Sequence, residues 1–162
     1  MAHVFCDVQM LRGQSGELLI KEFSRYNADW DVSHTAFFKP PYDETLLPEK
    51  YRRHNHYVTK HVHGLKWNMG LIPYEFCEDQ IHEMVNSFEV VYVKGDEKKK
   101  MLQKMLREKV VIDIETLGCP KLSRLPKMFV PFHCQEHSVF PTHSCACLNA
   151  RRIGMWYTFT MA

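Results

Sequence analysis

The stretch EVVYVKGDEKKKMLQKMLREKVVIDI (89–114) predicts a strand, a helix and a second strand. Residues 89–94 and 110–114 are short β-branched runs without apolar–polar alternation, which is typical of strands buried on both faces. Residues 96–109 begin with acids and end with Lys and Arg, as the helix macrodipole favours. The apolar stripe of this helix is Met101, Leu102, Met105 and Leu106. We therefore predict a β-α-β unit with parallel strands.

Three further strands are expected upstream of this unit. Their β-prone runs cover residues 3–10, 17–26 and 33–42. The turns between them are short, and RGQSG (12–16) carries two glycines, so an antiparallel meander is predicted.

The remaining segments predict helices. These are one or two short helices in 46–67, a helix in 73–88, a short one in 120–125 and a last one in 143–159. In the 73–88 segment, one apolar face is expected from Phe76, Ile81, Val85 and Phe88. The element order is βββαβαβα, an α/β fold with a mixed five-stranded sheet flanked by helices. This order is that of the ribonuclease H-like arrangement.

Composition favours one intracellular domain over residues 1–162. Lys and Arg number 21 and Asp and Glu 19, so the net charge is only +2. Apolar runs fall short of the roughly 18 residues that span a membrane, and no charged-then-apolar signal begins the chain. We expect a cytoplasmic or nuclear protein, or both, without a membrane partner. In such a reducing compartment, crowded cysteines favour metal binding over disulfides.

Residues Asp113–Thr116 have the Asp-Ile-Glu-Thr pattern of the first metal-binding strand of a DnaQ-type 3′–5′ exonuclease. Two carboxylates one residue apart on a strand point to one side and suit a divalent ion. In that fold, however, the motif lies on the first strand, whereas Asp113 lies on the last of five predicted strands. We therefore interpret the motif as the polar exit of a final buried strand. The alternative is that Asp7, Asp96, Asp113 and Glu115 partly converge.

The first predicted strand carries Asp7-Val8-Gln9 in the position of the exonuclease Asp-x-Glu. Gln9 is the neutral isostere of Glu. Near the second catalytic position the chain has Lys98, with Asp96 or Glu97 as possible substitutes, and the last helix has Asn149 near its Asp position. A two-metal site needs several carboxylates. The positions Asp7, Gln9, Lys98 and Asn149 therefore predict a scaffold that has lost its catalytic metals, with no confident catalytic residue.

The segment FHCQEHSVFPTHSCAC (132–147) is rich in metal-binding residue types. Cys134 and His137 are separated by two residues, and Cys145 follows, with His133, His143 and Cys147 nearby. Thiolate and imidazole ligands at such spacing hold structural Zn²⁺. The alternative is buried cysteines that act as small apolar residues beside surface histidines. A fourth zinc ligand has to come from elsewhere in the chain.

An exonuclease-like scaffold with altered carboxylates and a Cys-x-x-His…Cys cluster before its last helix resembles the Maelstrom domain of the piRNA pathway. That family resembles DEDDh exonucleases and carries a Glu-Cys-His-Cys zinc site. The resemblance implies structural zinc held by Glu22, Cys134, His137 and Cys145, with Cys147 or His143 as alternatives to Cys145. It also implies a role in small-RNA or transposon silencing. The family is associated with single-strand RNA cleavage without the usual carboxylates.

A basic segment with interleaved aromatic residues covers residues 50–66. Cations beside Tyr51, Tyr57 and Trp67 suit a single strand, with phosphates on the cations and bases on the rings. The candidate nucleic-acid-binding residues are Lys50, Arg52, Arg53, Lys60 and Lys66, with Lys98 and Lys99 from the helix 96–109. An ordinary solvated face is the alternative. We expect single-stranded RNA or DNA as partner.

Three classes of function follow from these observations. The first is a zinc-stabilised, degenerate exonuclease-like module that binds single-stranded nucleic acid, with RNA favoured. The second is an active nuclease, either a metal-dependent 3′–5′ exonuclease or an RNA endonuclease that uses histidine without metals. The third is a scaffold that docks a protein partner.

Overall fold

Five strands form one mixed sheet in the computed structural model, which describes residues 2–125 and 144–161. The order across the sheet is β3-β2-β1-β4-β5. Strands β1, β2 and β3 pair antiparallel, whereas β4 runs parallel to β1 and β5 parallel to β4. The strands are β1 (His3–Arg12), β2 (Leu18–Asn27), β3 (Val32–Phe37), β4 (Val90–Val93) and β5 (Val110–Asp113). The predicted meander and the predicted β-α-β unit are both confirmed.

Four α-helices flank this sheet in the described part of the chain. They are α1 (Glu49–Val58), which continues as a π-helical turn (Thr59–His63), α2 (Cys77–Met84), α3 (Asp96–Met105) and α4 (Ala146–Met161). Both α1 and α2 lie between β3 and β4, in the segments 46–67 and 73–88 where helices are predicted, whereas the order βββαβαβα gives a single helix there. Among the described residues, no helix is long and apolar enough to cross a membrane.

The sheet buries apolar side chains on both faces. One face packs Val8 of β1 against helices α2 and α3, through Ile81 and Leu102. The other face packs Phe5 of β1 against Ile153 of α4. Because side chains alternate along a strand, Asp7 and Gln9 share the α4 face with Phe5. The alternation on β1 therefore directs these two polar residues toward the last helix.

Helix α4 lies close to the sheet because Gly154 has no side chain. A Cβ at this position would lie 2.6 Å from Tyr26 Cδ2 and 2.9 Å from Phe5 Cδ2. The close approach brings the first turn of α4 within hydrogen-bond distance of β1 and β2 side chains. A small residue far from the polar cluster thus helps to position it.

Lys21 on β2 is buried and bridges two loops. Its Nζ donates to the carbonyl oxygens of Phe38 at 2.8 Å and Trp67 at 2.7 Å, and also to that of Met69. Burial lowers the pKa of this ammonium to about 8. The three carbonyls satisfy the N–H donors of the charged form, as a buried charge requires.

Some local predictions are wrong. Phe76 is 51% exposed rather than part of the buried face that Ile81 and Val85 form. Strand β5 lies at the sheet edge, where Val110 is exposed, so it is not buried on both faces as predicted. The third strand, predicted to end at the two prolines of the segment 33–42, already ends at Phe37, and the helix predicted in 120–125 is a single 3₁₀ turn, Leu122–Arg124.

Candidate functional site

Asp7 is the centre of a polar cluster at the α4 face of the sheet. Its side chain is only 4% exposed. Lys98 Nζ, from α3, donates to Asp7 Oδ1 at 2.7 Å, and Asn149 Nδ2, from α4, donates to Asp7 Oδ2 at 2.9 Å. Each carboxylate oxygen therefore has a donor from a different helix.

Gln9 joins the same cluster through Ser144. Gln9 Nε2 lies 3.1 Å from Ser144 Oγ, and Asn149 Nδ2 donates to the same oxygen at 2.8 Å. The structure thus brings together all four predicted positions, Asp7, Gln9, Lys98 and Asn149. Sequence reasoning missed Ser144, whose only local signal is its place just before the last helix.

The charges of the cluster differ from those of a two-metal site. Asp7 is the single carboxylate among the described residues of the cluster, and the Lys98 ammonium contacts it directly. Elsewhere, Asp113 Oδ1 accepts from the backbone N–H of Gly95 at 2.9 Å and of Glu115 at 3.0 Å. Within residues 2–125 and 144–161, no three His, Cys, Asp or Glu side chains are placed to share a metal ion. Asp113 is the last residue of β5 and caps the 3₁₀ turn that follows, which agrees with its interpretation as a strand exit.

A cavity of about 220 Å³ adjoins Asp7. Its polar lining consists of Asp7, Lys94, Lys98, Glu115, Lys121 and Asn149. Lys94 Nζ donates to Glu115 Oε1 at 2.7 Å, so each of the two acids has its own lysine. The polar lining of the cavity carries three ammonium groups and two carboxylates.

Glu22 and Cys145, two of the four predicted zinc ligands, lie side by side. Both residues are buried, and Cys145 Sγ lies 3.9 Å from Glu22 Oε2. The backbone N–H of Ala146 donates to Glu22 Oε1 at 3.1 Å. At usual Zn–S and Zn–O bond lengths, two ligands of one tetrahedral ion lie about 3.6 Å apart. The observed pair therefore fits one half of a zinc site.

The other two predicted ligands, Cys134 and His137, lie outside the described residues, as does the alternative ligand His143. Cys147, the second alternative, is buried in the first turn of α4. Gln9 pairs with Glu22 across β1 and β2. The Glu22–Cys145 pair is thus a direct neighbour of the Asp7 cluster.

The predicted basic residues of α1 have mixed surroundings. Arg52 Nη2 donates to the carbonyl oxygen of Leu47 at 3.1 Å. Arg53 lies 4.0 Å from Glu49, and the Lys50 ammonium lies over the Tyr51 ring at 5.1 Å. These contacts are made within α1 or to Leu47, just before the helix begins. They leave the cations on the protein surface, where exposed pairs contribute little to stability.

Lys60 and Lys66, further along the basic segment, line a cavity of about 800 Å³. His56 also lines it, and its Nε2 lies 2.7 Å from Glu44 Oε1. From α3, Lys98 belongs to the Asp7 cluster, whereas Lys99 lines a separate surface depression with Lys104. The predicted cations Lys60 and Lys66 therefore line one cavity, whereas Lys98 belongs to the Asp7 cluster and Lys99 to another depression.

Two aromatic expectations have different outcomes. Trp67 is 4% exposed and its Nε1 donates to the Tyr42 carbonyl oxygen, so its interpretation as a stacking surface for bases is wrong. Tyr57 is 62% exposed and lies 4.6 Å from the His61 ring, centroid to centroid. Only Tyr57 of these two rings is available to a base.

His63 is structural. It is buried, its Nε2 lies 3.0 Å from the Met10 carbonyl oxygen, and its Nδ1 accepts from the Leu65 N–H at 3.0 Å. These partners require the neutral tautomer with hydrogen on Nε2.

The Asp7 cluster and the Glu22–Cys145 pair are therefore the two neighbouring polar groups that β1, β2 and α4 build. Their residues are of the types that nucleases and zinc sites use, but only one carboxylate lies in each group. Comparisons with models of known protein families and with curated protein sequences found no match to this chain.

Proposed function

We propose that this chain is a zinc-stabilised, catalytically degenerate exonuclease-like domain, similar to the Maelstrom domain, that binds single-stranded nucleic acid. RNA is the expected strand, and small-RNA or transposon silencing the expected setting. The observation that carries the proposal is that the buried Asp7 carboxylate accepts hydrogen bonds from Lys98 and Asn149 on its two oxygens.

The sheet supports the ribonuclease H-like assignment. An antiparallel meander is joined through its first strand to two parallel strands, in the order β3-β2-β1-β4-β5. Asp7 lies on that first, central strand, where the resemblance to exonucleases places the first catalytic carboxylate. The strand order and the position of Asp7 thus both support the exonuclease-like assignment.

Restoring the lost carboxylates tests the degenerate site. We expect the triple variant Gln9→Glu, Lys98→Asp, Asn149→Asp to bind Mn²⁺, because it places four carboxylates where one now lies. The wild type should show no Mn²⁺ binding at the same concentrations by isothermal titration calorimetry. Mn²⁺-dependent removal of 3′ nucleotides by the wild type, abolished by Asp7→Ala, would instead establish an active exonuclease.

Zinc content tests the structural metal. The purified protein should hold one zinc per chain, since a buried carboxylate 3.9 Å from a buried thiol fits two adjacent ligands. Glu22→Gln keeps the size of the side chain but removes its charge. We expect this variant and Cys145→Ala to lose zinc and to unfold at lower temperature, because structural zinc contributes to folding free energy. A zinc content near zero in the wild type would refute this part.

Strand binding is measured by fluorescence anisotropy with single-stranded RNA, single-stranded DNA and duplex of equal length. We expect affinity for single strands that falls steeply with salt, as phosphate contacts require. Lys60→Gln with Lys66→Gln should weaken it, whereas Lys39→Gln, an exposed lysine at the end of β3, should not. Absence of binding to all three nucleic acids would refute the proposed function.

A second candidate is a ribonuclease that needs no metal. It is supported by the 2.7 Å contact between His56 Nε2 and Glu44 Oε1 beside the 800 Å³ cavity. The carboxylate would orient the imidazole, whose Nδ1 would take the proton of an RNA 2′-hydroxyl while that oxygen attacks phosphorus. The 5′-oxygen would leave with a proton from water, giving a 2′,3′-cyclic phosphate. His56→Ala should abolish such products in EDTA, and His34→Ala, on β3, should not.

A further inference from the structure

The cavity beside Asp7 has more hydrogen-bond donors than acceptors. An ammonium group carries three N–H donors. Lys98 uses one of them on Asp7 and Lys94 uses one on Glu115. Lys121 is exposed, and among residues 2–125 and 144–161 its ammonium has no partner. Most lysine donors around the cavity therefore lack an acceptor among the residues that the structure describes.

The acceptors of the cavity are largely occupied already. Both oxygens of Asp7 accept a hydrogen bond, and one oxygen of Glu115 does. Asn149 Nδ2 donates to both Asp7 and Ser144, which uses its two hydrogens. With three ammonium groups against two carboxylates, the lining keeps one positive charge in excess. This composition suits an anion rich in acceptors and disfavours a divalent cation.

The size of the cavity restricts the ligand further. Its 220 Å³ correspond to about seven waters at roughly 30 Å³ each. Pockets that take a whole small molecule are larger, about 300–1,000 Å³. The space therefore suits one anionic group at the end of a larger molecule. A phosphomonoester carries about −1.5 to −2 charges at neutral pH, more than the single charge of a phosphodiester within a strand.

We propose that this cavity binds the terminal phosphate of a single-stranded nucleic acid. The inference rests on the proposed function and adds to it the recognition of strand ends. The lysines that neutralise Asp7 and Glu115 also supply the phosphate donors, and Lys121 supplies the excess charge. The same ammonium groups that exclude a metal thus create an anion site.

The experiment uses an oligouridylate of about ten nucleotides with an internal fluorophore, in three forms: 5′-phosphorylated, 3′-phosphorylated, and with hydroxyls at both ends. Anisotropy is measured at constant ionic strength. We expect one phosphorylated form to bind about tenfold more tightly than the hydroxyl form, as about one charged hydrogen bond supplies. Which end is preferred identifies the polarity of the bound strand.

Lys121→Gln tests the cavity, because this exposed side chain has no partner in 2–125 or 144–161 whose loss would unfold the protein. It should remove most of the preference and leave the affinity for the hydroxyl form within about twofold, whereas Lys39→Gln should retain the preference. Equal binding of the three forms, or a preference that survives Lys121→Gln, would overturn the proposal and leave the proposed function intact. If the wild type binds none of the forms, both fail together.

Discussion

Removing the Lys98 ammonium should destabilise the protein far more than an ordinary surface charge would. Lys98→Met keeps the aliphatic length of the side chain but leaves the Asp7 carboxylate, 4% exposed, with Asn149 as its remaining described donor. The opposite change, Asp7→Asn, leaves the Lys98 ammonium, which is 24% exposed and still reaches water. The two single variants are therefore not equivalent.

The expected magnitude follows from the 2.7 Å contact. At an effective dielectric constant of about 20, two charges at this distance attract by about 6 kcal/mol before desolvation is subtracted. Removing one partner of a buried pair typically costs about 3–5 kcal/mol. Because Lys98 is partly exposed, we expect about 3 kcal/mol for Lys98→Met and about 1–2 kcal/mol for Asp7→Asn. The double variant buries no charge and should lie within about 1 kcal/mol of wild type.

Urea unfolding of the wild type, both single variants and the double variant measures this coupling directly. Lys100→Met is the matched control on the same helix, since Lys100 pairs with Asp96 at 2.9 Å and both side chains are exposed. We expect no measurable change for the control. If Lys98→Met costs no more than Lys100→Met, or if the double variant is as unstable as the two singles added together, the buried pair does not hold this cluster.

Three further predictions concern the scaffold. The folded chain should release the Lys21 proton near pH 8 and the unfolded chain near 10.5, so the free energy of unfolding relative to Lys21→Met should rise by up to about 3 kcal/mol as pH increases across that interval. Chemical unfolding of both proteins at several pH values measures this difference, and a difference that stays constant or falls with pH would refute the prediction. Gly70→Ala should lower the melting temperature much more than Gly118→Ala. Both glycines have positive φ, but only a Cβ at position 70 would meet backbone, 2.3 Å from the carbonyl carbon of Phe38. Equal losses in melting temperature would refute the role of this crowding. Gly154→Ala should cost about 1–3 kcal/mol in urea unfolding despite the better helix propensity of Ala, and a more stable variant would show that Tyr26 yields to the new Cβ.

Local patterns predicted most of the secondary structure because they record which side of each element is apolar. The run 89–114 has the predicted strand, helix and strand, although the helix ends at Met105 and not at 109, since β-branched runs and a helical apolar stripe are properties of neighbouring residues. The prediction for Phe76 is wrong because it, too, rests on local spacing alone. Helical spacing identifies a face, but exposure depends on whether another element covers that turn.

The site was predictable as a set of residue types and not as a set of contacts. Motif positions singled out Asp7, Gln9, Lys98 and Asn149, and the structure brings them together. No local pattern predicts the hydrogen bond from Lys98 to Asp7, because 91 residues separate the two. Trp67, expected to stack on bases, is instead a buried donor to a distant carbonyl oxygen.

Local patterns in the sequence predict the strands and helices, and the positions Asp7, Gln9, Lys98 and Asn149 predict a reduced set of carboxylates. Three features are properties of the folded chain: the place of β1 between β2 and β4, the contact of Glu22 with Cys145 across 123 residues, and the cavity that Lys94, Lys98 and Lys121 line. They are not visible in the sequence because periodicity specifies only which face of an element is buried. Strand order and the close approach of α4 at Gly154 then select the residues that meet there.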